Sequence, residues 1–199
     1  MKVSASLTTA VLAATVAGKK VVHKHGLGFD ALEGKTPGLL SGGGNPMPSP
    51  YKDLIWAEGT FSVVKLSGEL LTTLQPKSKP NVLAVKPAQV GSTAGAIKIN
   101  TNVDSANFKS VSFACVEEVL GTSAPVGCTV AFTNTDLAGT VTKRTATYDG
   151  GSKMATVALD FNFKERFTIK VTEAGLVGDL GSPVSVVLDN FYYEATLDQ

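Results

Sequence analysis

Few residues in this chain are able to do chemistry, and their spacing limits what they can do. The only histidines, His23 and His25, fall in one basic run with Lys19, Lys20 and Lys24. Hydrolysis by a serine or cysteine nucleophile needs a histidine held beside it. A basic run at the start of the mature chain is expected to be a flexible, solvated tail instead. Histidine-dependent hydrolysis is therefore set aside, leaving the run two lesser readings: a processing site after Lys20, or a weak histidine metal site. No HExxH, P-loop or dinucleotide-binding glycine pattern occurs. Carboxylates remain as glycosidase-type acid and base. Glu117 and Glu118 are adjacent, so a strand would point them to opposite faces. Asp149, Asp160, Glu165 and Glu173 carry no mutual geometry, and surface charge is their expected role.

Two acids stand apart because apolar strand residues surround them: Asp30 in GFDALE and Asp189 in SVVLDNFYY. A carboxylate among such neighbours is costly without a partner. If the first and last strands are neighbours, Asp30 and Asp189 meet at one rim, and two hard oxygen ligands with backbone carbonyls suit a structural calcium ion. Two other roles stay open for them: capping backbone amides at a strand end, or exposure at a bulge.

The elements that must position these groups are strands. Of 199 residues, 43% are hydrophobic and 18% charged, enough for one well-buried core. Val, Thr, Ser and Gly recur throughout, and no segment carries a sustained helical period. About ten strands are expected: GFDALE, LIWAEGTFSVVKL, NVLAVK, GAIKIN, FKSVSFACVEE, GCTVAFTNT, TVTKRTATYD, MATVALDF, RFTIKVTE and VSVVLDNFYYEA. Segments rich in Gly, Pro and Ser separate them. The architecture implied is all-β, a two-sheet antiparallel sandwich. In NPMPSPYKDLIW the prolines withhold amide donors, which suits a strap across a sheet edge. Trp56 then enters the core as a latch.

Met1-Lys2, the uncharged stretch from Ala5 to Ala17 and the small residues at 16–18 read as a secretory signal peptide over residues 1–18. Residues 19–27 are the expected flexible tail and 28–199 a single domain. No run reaches the ~20 apolar residues of a membrane span, so a secreted, extracellular protein is expected. Loss of residues 1–18 removes Lys2 and no acid, leaving basic and acidic residues equal in number. Such a balance gives no electrostatic case for nucleic acid. Export would expose Cys115 and Cys128 to an oxidising compartment, where one intramolecular pairing exists. Alternation puts both sulfurs on core faces, so a structural disulfide is expected.

Taken together, FDALEG, PMPSPYKDLIW, PNVLAV, FACV, GCTV and VVLDNFYYEA, in this order, resemble a group of secreted fungal proteins of poorly defined function. The resemblance spans about residues 28 to 195. It implies a jelly-roll sandwich similar to carbohydrate-binding modules and galactose-binding-like domains, in which an acid near the first strand and the aspartate of the last often hold calcium. Those positions map here onto Asp30 and Asp189.

Sugar rings stack on flat side chains. Neighbours Tyr192 and Tyr193 face oppositely on a strand, and Tyr148 lies at a strand end. Tyr148 and Tyr193 are the residues expected to bind ligand. The function expected is a non-catalytic secreted module that binds a polysaccharide or a glycoprotein glycan. One alternative is an effector-like scaffold that touches a host surface protein through loops at 36–50 or 173–183. A third reading is a carboxylate-based glycan-cleaving enzyme.

Overall fold

The computed structural model describes residues 20–34, 44–66, 74–78, 81–119, 122–175 and 183–198. The expected signal peptide, residues 1–18, lies outside the described residues, as do residues 36–43 and 176–182 of the two expected loops. In chain order the strands are β1 (Lys20–Leu27), β2 (Asn45–Pro46), β3 (Leu54–Trp56), β4 (Phe61–Lys65), β5 (Asn81–Val85), β6 (Thr93–Ile99) and β7 (Val103–Val119). They continue with β8 (Thr122–Pro125), β9 (Gly127–Thr135), β10 (Val141–Asp149), β11 (Ala155–Phe163), β12 (Arg166–Ala174) and β13 (Val184–Asp198). Among the described residues no helix occurs, and none is long and apolar enough to cross a membrane.

The strands form two antiparallel sheets. The larger runs β11-β7-β13-β5-β4-β2, with β1 also on β13 and β8 on β7; the smaller runs β10-β9-β12-β6-β3. Alternation explains the layering. In β12, Phe167, Ile169 and Val171 are buried while Arg166 is exposed and Thr168 and Lys170 are half-buried. The expected jelly-roll sandwich is the fold found. Its core centres on Phe108, whose ring lies 4.5 to 4.7 Å, centroid to centroid, from Phe163, Phe167 and Phe191. Cys115 of β7 and Cys128 of β9 form the expected disulfide, which crosses from one sheet to the other with a Cα–Cα distance of 6.1 Å.

Three local expectations change. LIWAEGTFSVVKL is not one strand: a turn at Ala57–Thr60, with Gly59 at φ 68°, sends β3 to the smaller sheet and β4 to the larger. GFDALE is a turn as well. Phe29 takes a φ of 58°, and its carbonyl accepts from the Leu32 amide at 3.0 Å. The adjoining strand lies upstream, in the run expected to be a flexible tail. Lys20–Leu27 pairs with β13 in unbroken register, from Lys20 opposite Asp198 to Leu27 opposite Phe191. Backbone hydrogen bonds to β13 hold this strand, so it needs little apolar surface of its own, and charged side chains are ordinary on a sheet edge.

The proline-rich stretch is a strap as expected. Pro46 pairs with Ser62 of β4, and Ser49-Pro50 is a cis peptide. Trp56 is buried against Phe29, Phe61 and Phe191, and its indole Nε1 donates to the Tyr51 carbonyl at 3.3 Å.

Candidate functional site

Of the two tyrosines expected to bind ligand, neither offers an open ring. Tyr148 and Tyr193 are each 1% exposed. The Tyr148 hydroxyl donates to the Gly151 carbonyl and that of Tyr193 to the Lys52 carbonyl. Burial pushes the Tyr148 hydroxyl up to about 12, and also raises that of Tyr193.

The exposed ring is Tyr192, at 49%. A bulge decides this. Asp189 pairs with Ser112 and Tyr192 with Ser110, so β13 gains one residue over β7, and Asn190 sits there at φ 45°. Before the bulge Leu188 points inward; after it Phe191, Tyr193 and Ala195 do, and Tyr192 turns out. The ring settles over Gly26 of β1, with its Cε1 2.8 Å from where a Cβ at 26 would be. Beside it, Glu194 receives Lys24 of β1 at 3.3 Å and Lys109 of β7 at 3.7 Å. An aromatic ring and a three-membered charge ladder thus share the outer face of the larger sheet.

The inner face of β1 carries a second cluster. His23 and His25 lie two residues apart on the same strand, and both point to Asp53, which ends the turn before β3. His23 Nδ1 donates to Asp53 Oδ2 at 3.1 Å and His25 Nε2 to the same oxygen at 2.7 Å. Partial burial pulls the Asp53 carboxyl up, but hydrogen bonds and charge from His25 and His23 outweigh it and hold the group below its usual value. The turn that presents Asp53 is firmly built. Lys52 and Asp53 take φ of 50° and 66°, the Asn100 amide donates to the Asp53 carbonyl at 3.1 Å, and Tyr193 holds Lys52.

Of Asp30 and Asp189, expected as calcium ligands, Asp189 meets Ser78 and Asp30 meets Asn81. Asp189 is wholly buried. Its Oδ2 accepts from the Ser78 amide at 2.6 Å, and its Oδ1 from Ser78 Oγ and the Asn190 amide, both at 2.7 Å. Asp30 Oδ1 accepts from the Asn81 amide at 2.9 Å. Amide capping, one of the roles left open for these acids, is what both carboxylates do. A calcium ion at Asp189 would have to displace three protein donors, so this donor set fits an anionic side chain better than a cation. Of the other acids, Glu173 accepts from Thr129 Oγ1 at 3.2 Å and Asp149 from the Gly151 amide at 2.9 Å.

A groove of about 690 Å³ opens where the strap passes β3 and β4. Met47, Ile55, Trp56 and Phe61 line it, with Glu58 and Lys98 among its polar groups. The strap therefore forms a wall as well as a latch.

The sequence places the histidines in an expected flexible tail, with a histidine metal site only a lesser reading. Their H-x-H spacing was the available signal, since a two-residue period puts both rings on one face of any strand. Asp53, 28 to 30 positions away, gave none. Tyr192 and Tyr193 do face oppositely, and the bulge at Asn190 makes Tyr192 the outward one.

The geometry defines an antiparallel two-sheet β-sandwich. No protein-family model matches the chain, and no curated protein does. Solved structures with which it aligns include the CBM22-1–GH10 modules of Clostridium thermocellum endo-1,4-beta-D-xylanase 10B complexed with xylohexaose, at 6% identity and a TM-score of 0.34. That alignment covers 75% of this chain and 27% of the xylanase chain. Another is TmCBM61 in complex with beta-1,4-galactotriose, at 12% identity and a TM-score of 0.28, covering 73% of this chain and 83% of that one.

Proposed function

We propose that the protein is a secreted β-sandwich that binds a glycan or cell-wall polymer on the outer face of its larger sheet, without cleaving it. The observation that carries this reading is the exposed Tyr192 ring, seated on Gly26 beside the Lys24–Glu194–Lys109 ladder. A pyranose has an apolar face and a rim of hydroxyls. An open aromatic face takes the first, and paired carboxylate and ammonium groups donate to and accept from the second. Both kinds of group are already held by the sheet, so little ordering cost falls on binding. Hydrogen-bonding groups on a flat sheet face also suit an extended polymer better than a small enclosed ligand.

The test is retention on insoluble wall polysaccharides and a glycan array with the full mature protein. Tyr192→Ala is expected to weaken binding at least tenfold while the melting temperature stays unchanged, because the ring is exposed. Retention that is absent from every polymer and glycan, or equal in wild type and Tyr192→Ala, would overturn the proposal.

A further inference from the structure

We propose that His23, His25 and Asp53 form a binding site for a borderline divalent transition-metal ion, zinc or copper(II), at the seam between the two sheets. The proposal is independent of the glycan reading. One ligand atom from each of His23, His25 and Asp53 lies within 4.8 Å of the other two. Both imidazoles already converge on one carboxylate oxygen, at 3.1 and 2.7 Å. Tetrahedral zinc at about 2.0–2.2 Å from each ligand sets ligand–ligand separations near 3.4 Å. The two His–Asp separations need to open by less than about 1 Å each to reach that spacing, and the two imidazoles close toward each other around the ion.

The donor set selects the metal class. Two imidazoles and one carboxylate suit zinc or copper(II), whereas calcium and magnesium require oxygen ligands. The frame is rigid. Ladder hydrogen bonds to β13 fix the spacing of the histidines, the Tyr193 ring lies 4.9 Å from that of His25, and the Tyr193 hydroxyl anchors the Lys52 carbonyl next to Asp53. Exposure is graded: the His25 and Asp53 side chains are 15% and 17% accessible and His23 46%. One side of the triad therefore faces solvent, where a water or a ligand oxygen completes the sphere. Because β1 belongs to the larger sheet and Asp53 leads into the smaller, a bound ion ties the two sheet edges together.

The experiment uses the full mature protein, stripped with chelator and titrated calorimetrically with zinc chloride, copper(II) sulfate and calcium chloride. One zinc or copper ion per chain is expected, with a rise in melting temperature of about 5 °C or more at saturation. His25→Ala and His23→Ala are each expected to weaken binding at least tenfold, while Val22→Ala on the opposite, exposed face of β1 leaves it unchanged. Nitrogen hyperfine structure in the copper(II) EPR spectrum, reduced in each histidine variant, reads the ligands directly and does not depend on stability. The proposal is overturned if wild type binds neither zinc nor copper stoichiometrically. Binding by the His23→Ala/His25→Ala double variant equal to wild type, or uptake of calcium alone, would overturn it too.

Discussion

Asp189 shows how a buried acid is made tolerable. Burial pushes its carboxyl above the usual range, the hydrogen bonds from Ser78 and Asn190 pull against that, and the nearby charge of Asp30 adds to the rise. Ser78 Oγ also lies 2.8 Å from the Gly28 carbonyl. The single Ser78 hydroxyl hydrogen is therefore shared between the Gly28 carbonyl and the Asp189 carboxylate. A pKa raised on folding contributes stability that is complete below the unfolded value and is lost as pH rises through the folded value. Asp189→Ala is therefore expected to cost about 3 kcal/mol, by stranding the Ser78 amide. Urea unfolding of wild type and variant checks this, and the gap between them should widen as pH falls from 7 toward 4. A gap independent of pH would show that Asp189 does not titrate in that window. Little of this was legible from sequence: LDNF marks a costly acid, but its partner Ser78 lies 111 positions away.

At the scale of elements, the disulfide carries the clearest expectation. It joins β7 to β9 across the core with a separation of 13 residues. Closing such a loop stabilises by about 3 kcal/mol. A Cys115→Ala/Cys128→Ala variant is expected to keep its β-sheet circular dichroism and to melt roughly 10 °C lower. An unchanged melting temperature would mean that the bridge adds nothing beyond packing already present. This element pair was readable in the sequence, because alternation in FACV and GCTV fixes the face of each sulfur without knowledge of distant contacts. The same rule identified RFTIKVTE. It broke down where the backbone leaves its regular path, at Phe29, Gly59 and Asn190, since left-handed residues reset the parity on which alternation depends. It also missed β1, whose side chains hold no apolar pattern and whose place is set by the partner strand's backbone.

For the whole molecule, composition was a good guide to class. A chain rich in Val, Thr, Ser and Gly, with 18 basic and 17 acidic residues, has the makings of a two-sheet sandwich and lacks those of a polyanion binder. What it could not convey is which ends meet. β1 is the earliest described strand, yet its partner is the last, with Leu27 opposite Phe191 and Lys20 opposite Asp198. During synthesis at about 5–20 residues per second, β1 waits on the order of ten seconds or more before β13 exists to receive it. Closing so long a loop is slow in refolding as well. In pulse-labelled hydrogen exchange, the β1 amides should gain protection after those of β9 and β12, whose pairing is more local; simultaneous protection would refute this order. Until that late step, the histidines are unconfined and Tyr192 has no Gly26 beneath it, so maturation of both surfaces waits on the final strand.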